Sequence, residues 1–431
     1  MPERARTDSG MGPPDVVMVV ENCGYPLDTR VRMEAESLVE SGLSVEVLAP
    51  RERGRPAREL IRGVRVTRFR LPDGKGRLLG TAIEYSVAFW AVTVAVLPRL
   101  ARRRDGILHV HNPPDMFFPL LWLARRRGWS TVFDHHDDAA GMLRSKFGRA
   151  SLLESVLAWM RSRSARAADL TITTNDTQRR LVESCAGRVV VVRNSPPTWF
   201  AEHRPSAPTG RARLVFLGEI GEQDRVERAV EVLAGLLGEG GGDAELLIIG
   251  DGPKRGAVEA RARQLRLADR VTITGWVSLE EVPALLASAH VGLDTAPLTE
   301  VNHGSTMVKI REYLVVGLPV VASALRETKV TGEGAVITVA QDSVEAFTAP
   351  IGELLRSTAN WEASAARSRA RGQALLWPAQ RDRLLAGYGE LRPRAGPAAN
   401  RAQHTRSARL RQKKTSGTTL LRPGAHSTDD T

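Results

Sequence analysis

Three stretches of the 431-residue chain combine residue types that could do chemistry. The longest runs Asn302-His303-Gly304-Ser305-Thr306-Met307-Val308-Lys309-Ile310-Arg311-Glu312-Tyr313 and continues to Gly317-Leu318-Pro319-Val320-Val321. A small polar loop feeding a helix offers unpaired N–H groups and the positive end of the backbone dipole, and together these receive an anion such as a phosphate. Lys309 adds a mobile positive charge, and Glu312 can accept hydrogen bonds from a sugar or ribose hydroxyl. The same order also fits an ordinary loop, helix and strand, with Gly317 as the C-cap and Pro319 after it. The other two stretches are His109-Val110-His111-Asn112-Pro113-Pro114-Asp115 and Val132-Phe133-Asp134-His135-His136-Asp137-Asp138. Each starts as an apolar strand and ends in polar and ionisable groups, and ligands of open parallel sheets gather beyond the carboxyl ends of strands. Alternation places His109 and His111 on one strand face. Clustered Asp and His can also ligate a metal, but nothing else in the sequence completes a ligand set.

These stretches need strands and helices to hold them. Residues 15–20 read as a buried strand, residues 21–26 as a Gly/Pro loop, and Asp28 opens a helix that closes at Ser41-Gly42 before a strand at 45–48. That is a Rossmann-type unit, although a full Gly-x-Gly-x-x-Gly is absent. Apolar strands recur near 64–69, 107–110 and 189–192, and again at 214–218, 246–249, 271–277 and 291–294. A Pro-rich polar stretch from Asn194 to Gly210 separates the two series and reads as a linker. The expected class is therefore α/β, and the length suits two domains with extensions.

Composition narrows the function. Only two cysteines, Cys23 and Cys185, exclude a disulfide framework and point to a reducing compartment. The net charge is +12, but residues 391–431 hold nine Lys/Arg against two Asp, so the remainder carries +5. The basicity is largely a tail property, without the aromatic interleaving or motif of a nucleic-acid binder. Residues 1–14 lack the apolar core of a secretion signal. Residues 85–100 form an apolar run followed by arginines, short of the ~20 residues a spanning helix needs. It reads as a buried helix, with a helix leaning on a bilayer as the alternative.

The 302–323 stretch resembles the donor-site motif of the retaining, family-4 glycosyltransferases with the GT-B fold. Asn112-Pro113-Pro114-Asp115 and Phe133-Asp134-His135-His136-Asp137 resemble signatures of its bacterial polysaccharide and O-antigen branch. The resemblance implies an α/β protein of two Rossmann-like domains facing across a cleft. An acceptor-side domain at 15–195, a linker at 196–211, a nucleotide-sugar domain at 212–376 and a crossover helix at 377–392 returning to the first domain are expected. Residues 1–14 and the basic tail 393–431 are expected to be disordered.

The implied activity is retaining transfer of a sugar from a nucleotide-diphosphate donor to an acceptor hydroxyl, in cell-surface polysaccharide or glycolipid assembly. Carried over residue by residue, His111, Glu312 and Lys309 become catalytic. Gly218, Trp276, Val277, His303, Gly304, Ser305, Thr306 and Arg311 become donor-binding, and Gly24, Asp28, Arg30, His135, His136 and Asp137 fall on the acceptor side. The resemblance implies no metal and no cofactor besides the donor substrate, no nucleic acid, and a glycan, lipid-linked or small-molecule acceptor. The low cysteine count makes a cytoplasmic protein the expectation, and the apolar run at 85–100 with the basic tail makes the inner membrane surface a candidate partner. Two departures matter. Gly304 stands where most relatives carry a first glutamate, and Glu219 and Asp224 stand where an Arg/Lys pair clamps the diphosphate, which throws that task onto Lys309, Arg311 or backbone N–H groups. A sugar-nucleotide 2-epimerase, a non-catalytic nucleotide-sugar binder and a membrane scaffold are the competing readings.

Overall fold

In a computed structural model, which describes residues 12–72, 78–147, 152–238 and 243–391, the chain forms two sheets. Residues 1–11 of the N-terminal segment and the whole basic tail 393–431, both expected to be disordered, lie outside the described residues. The first sheet comprises β1 (Val16–Val19), β2 (Val45–Pro50), β3 (Arg58–Ile61), β4 (Val64–Phe69), β5 (Ile107–His111), β6 (Ser130–His135), β7 (Leu170–Thr173) and β8 (Val189–Val191). Its order is β3-β4-β2-β1-β5-β6-β7-β8, parallel throughout except for the β3–β4 hairpin. The second contains β9 (Ala212–Leu217), β10 (Ala244–Ile249), β11 (Val271–Ile273), β12 (Val291–Asp294), β13 (Val320–Ser323) and β14 (Val336–Val339) in the order β11-β10-β9-β12-β13-β14, all parallel. Both orders reverse about their first strand, at β1/β5 and at β9/β12, and such reversals open a crevice at the carboxyl ends of the strands.

Near-continuous Val, Ile and Leu along these strands is what a parallel sheet covered on both faces requires. On one face of the first sheet pack α1 (Thr29–Glu40) and the return helix Trp377–Gly389, with Trp377, Leu384 and Tyr388 joining the core of Val16, Met18 and Val47. On the other lie α2 (Leu78–Arg102), α3 (Phe118–Arg126) and the helix Leu152–Ala167. The return helix is fastened by specific bonds: Trp377 Nε1 donates to Ser37 Oγ at 2.9 Å, Gln380 Oε1 accepts from Arg193 N at 2.9 Å, and Tyr388 Oη meets His109 Nδ1 at 2.7 Å.

The apolar run read from sequence as a buried helix is part of the 25-residue α2, and only one face of it is buried. Its residues 83–102 are long and apolar enough, by length and composition, to cross a membrane. Val92, Val96 and Leu100 nevertheless anchor it to the sheet.

Glycines at the strand ends draw the second sheet's loops together. Gly250 has φ +138, and a Cβ there would lie 2.0 Å from the Gly218 carbonyl oxygen. Gly250→Ala is therefore expected to destabilise the second domain by at least about 1–3 kcal/mol from backbone strain alone, read as an earlier midpoint in urea unfolding.

Candidate active site

A cleft of about 390 Å³ opens between the two domains. Its walls come from the loop before α1 (Asn22, Asp28), from His136 and Asp137 just past β6, from the linker 194–197, and from Val308 and Glu312 on the helix Val308–Val316, the one expected at the donor site and called the donor helix for that expectation. Domain junctions and strand carboxyl ends are the favoured places for ligands in α/β proteins, and here they coincide.

The donor side differs in detail from the expected loop. Residues Glu300–Gly304 form a short helix capped by Thr299, and the next helix begins at Val308 after Met307. Asn302 is fully buried and its Nδ2 donates to Gln223 O at 3.1 Å and Pro297 O at 2.9 Å, tying this segment to the loop after β9. Asn175 of the first domain reaches across to the Gly304 carbonyl at 3.0 Å and Thr306 Oγ1 at 2.9 Å. Ser305 Oγ turns back onto Val301 O, and His303 Nδ1 accepts from Arg326 N at 3.2 Å, so the His303 ring meets the first N–H of the helix Arg326–Gly332.

Side-chain direction along the donor helix separates three neighbours that the sequence grouped together. Positions four apart share a helix face and positions two apart do not. Val308 and Glu312 accordingly face the cleft. Arg311 turns away and is buried, with Nη1 donating to Ser195 Oγ at 3.0 Å, so it braces the domain junction rather than lining the donor cavity. Lys309 sits beside Gly218, its ammonium 4.2 Å from the Phe216 ring centroid. It is bonded to Asp224 and lies 3.6 Å from the buried Asp294. Burial opposes the Lys309 charge, but these two carboxylates more than offset that. Glu312 faces the opposite situation: burial pushes its carboxyl up to about 7, only partly countered by Lys309. Val277 packs against the core of the second domain, and Trp276 stands 71% exposed outside the cleft, so Leu279 is the member of that segment that lines it.

On the opposite wall the histidines are sorted by depth. His111, expected at the transferring sugar, has no exposed surface and lies below the cleft floor, with Nδ1 3.0 Å from Asp134 Oδ2. His135, expected on the acceptor side, is equally buried; its Nδ1 accepts from Asn112 Nδ2 at 2.9 Å, and burial pushes it down to about 3, which keeps it neutral. The reason is strand geometry. His109, His111 and Asp134 project to the face covered by α1 and the return helix, whereas His136 lies one residue past β6 and lines the cleft.

His136 Nδ1 is 3.6 Å from Asp134 Oδ2, an ion-pair separation. Burial works against its charge, but Asp134 outweighs that and pushes the imidazole up to about 9.

Asp134 is the hub of this floor. It accepts from Arg30 Nε at 2.6 Å and Nη2 at 2.9 Å, and Arg30 also donates to Val192 O and Asn194 Oδ1, each at 2.8 Å. Burial raises the carboxyl, yet Arg30 and the two histidines hold it well below the usual carboxylate range. Glu34, His109, His111 and Asp134 converge closely enough to suggest a metal-ligand set. Arg30 already occupies both oxygens of Asp134 and lies 3.1 Å from Glu34, so the cluster as built neutralises a guanidinium. Asp28 caps α1 by accepting from Val31 N at 3.0 Å while also lining the cleft. Gly24 lies against Glu52, where a Cβ would collide with the carboxylate.

Sequence reasoning missed Asn112 as a functional position. Its Oδ1 accepts from His136 N at 2.8 Å and its Nδ2 donates to Asp137 O at 2.7 Å, which fixes the turn that presents His136. An Asn directly after a strand and beside the Pro-Pro pair was the available signal.

Residues 27–195 match the family described as glycosyl transferase 4-like domain, and residues 211–357 match glycosyl transferases group 1. The chain is 26% identical to the 2-deoxystreptamine glucosyltransferase of Streptomyces kanamyceticus over 69% of this chain and 80% of the relative. It is 28% identical to the 2-deoxystreptamine N-acetyl-D-glucosaminyltransferase of Streptomyces fradiae over 62% of this chain and 66% of that one. Among solved structures, sucrose-phosphate synthase from Thermosynechococcus elongatus superposes with a TM-score of 0.68 at 17% identity, covering 87% of this chain and 98% of that structure.

Proposed function

The chain is a glycosyltransferase with the GT-B fold, a 4-like domain followed by a group 1 domain, and from that premise we propose that it transfers a sugar from a nucleotide-diphosphate donor to an acceptor hydroxyl with retention of anomeric configuration. The observation that carries this reading is the pairing of Glu312 and His136 on opposite walls of one interdomain cleft. Glu312 accepts the ribose hydroxyls. The first turn of the donor helix and the Lys309 side of the Gly218 loop receive the diphosphate, and the His136 imidazolium adds positive charge from the facing domain. Arg30 and Asp134 hold His136 in place. Charge received by fixed groups in a desolvated cleft is what a departing diphosphate and an oxocarbenium-like centre need.

Two free cysteines, both only partly buried, support a cytoplasmic site of action. The acceptor belongs to glycolipid or surface-polysaccharide assembly. A second reading, a small aminocyclitol acceptor, is favoured by the two streptomycete relatives and by the carboxylates of Asp28 and Asp137 at the cleft, which can pair with ammonium groups. A panel of nucleotide sugars against polyprenol-linked, phospholipid-linked and aminocyclitol acceptors, with product configuration read by proton NMR, tests all three statements. An inverted product removes retention, and an epimerised donor formed without acceptor removes transfer.

Two expectations follow from the charges. The kcat/KM profile for donor is bell-shaped, with an acid limb near pH 7 as Glu312 protonates and an alkaline limb near pH 9 as His136 loses its proton. Glu312→Gln removes the first limb and His136→Gln the second. Because protein groups neutralise the diphosphate, turnover is expected to survive EDTA with less than about a twofold change, which corresponds to under ~0.4 kcal/mol.

A further inference from the structure

The layer of helices on the face of the first sheet away from the return helix has an outer surface that the transfer reaction does not use. In α2 the residues facing the sheet are Ala88, Val92, Val96 and Leu100. A second apolar series, Ile83, Val87, Trp90, Val94 and Leu97, follows spacings of four and three and is exposed, with Trp90 at 66% and Val94 at 68%. At about 100° per residue the two series lie on opposite sides of the helix. A solvent-facing helix side is ordinarily polar.

The neighbouring helices continue the pattern. Trp122 of α3 is half exposed, as are Leu153 and Trp159 of the helix Leu152–Ala167, while Leu152 is almost fully exposed. Their inner sides share one core with α2, so these exposed groups belong to one layer. Ring contacts link the layer from helix to helix: Phe89 stacks on Phe117 at 6.2 Å, and Phe118 meets Trp159 edge-on at 5.4 Å. Ten of the fifteen exposed large apolar side chains among the described residues fall on this layer.

Arginines accompany the apolar groups. The Arg126 guanidinium lies 3.6 Å over the Trp122 ring and that of Arg163 lies 5.3 Å from the Trp159 ring, and both arginines are exposed. Arg166 is also exposed beside the Trp159 groove, and Arg102 and Arg104 are exposed at the end of α2.

We infer that this three-helix face docks the enzyme flat on a lipid bilayer bearing anionic headgroups. Tryptophans beside arginines suit the headgroup boundary, where rings enter the acyl edge and guanidinium groups meet phosphate. Each basic side chain near an anionic surface adds attraction that salt weakens. The sheet-facing anchors of α2 fix the mode as lying on the surface, since crossing the bilayer would strip Val92, Val96 and Leu100 from the core. The cleft is lined by other elements, so docking leaves it open to donor. The inference does not depend on which acceptor is used.

The test is co-sedimentation of the full chain with phosphatidylcholine vesicles, with and without 30% phosphatidylglycerol (roughly a physiological anionic load), together with sedimentation velocity in the absence of lipid. Expected are binding to the anionic vesicles, at least about tenfold weaker binding to neutral ones or in 0.5 M salt, and a monomer in solution. Trp90→Glu/Val94→Glu and, separately, Arg126→Glu/Arg163→Glu are expected to abolish the binding with thermal unfolding unchanged, since all four side chains are exposed. Wild type that ignores anionic vesicles overturns the inference. So does a dimer that the Trp90/Val94 variant dissolves, because the face would then serve a second copy.

Discussion

Replacing Glu312 with alanine is expected to lower kcat/KM for the sugar nucleotide by about 10- to 150-fold, the worth of hydrogen bonds to a charged acceptor, ~1.5–3 kcal/mol. Most of the loss is expected on the donor KM, because the proposed ribose contact would be made before the chemical step as well as during it. Glu312 is placed for this by helix geometry: it shares the cleft-facing side with Val308, and its carboxyl is raised to about 7 by burial with no fixed cation close enough to cancel that. Titrations at pH 6 and pH 8 separate this role from a structural one. Donor affinity of wild type drops toward the acid side, whereas that of Glu312→Gln is low and flat.

The second large effect concerns the floor beneath the facing wall. Asp134→Ala removes the two carboxylate oxygens that accept from the buried Arg30, leaving it Val192 O and Asn194 Oδ1, and breaking one partner out of a buried pair typically costs about 3–5 kcal/mol. Urea unfolding of the first domain should show it as a lower midpoint. The same substitution removes what holds the His136 proton, leaving burial unopposed by its main partner, so the alkaline limb of the rate profile shifts to lower pH. A variant destabilised without any movement of that limb would show that Asp134 serves stability alone.

How much of this was legible in the chain depends on the range of the interactions involved. The Rossmann-like units were, because continuous apolar strands, Gly-bearing loops and helix caps such as Asp28 are local signals. Glu312 is expected at the donor site from its local motif, and it lines the cleft with Val308, one turn earlier, which the motif does not single out. The depth ordering of the histidines could not. His109 and His111 share a strand face as alternation requires, but that face is covered by a helix nearly three hundred residues later, where Tyr388 bonds His109. Which face of a parallel strand becomes floor and which residue clears its end is decided by that late packing.

Arg311 shows the same limit. Its partner, Ser195, lies in the linker, and no local pattern announces the contact. The pairing of Lys309 with Asp224 gives the unusual acid at the expected lysine position a structural partner, since the two charges meet across 85 residues of sequence.

In the proposed reaction the nucleotide sugar lies between Glu312 and His136. Equilibrium binding of the preferred donor to wild type, Glu312→Gln and His136→Gln at pH 8 tests it most directly. Each substitution is expected to weaken binding at least about tenfold, or ~1.4 kcal/mol, in protein that circular dichroism shows to be folded at the temperature of the measurement. Donor bound as tightly by both folded variants as by wild type would contradict it.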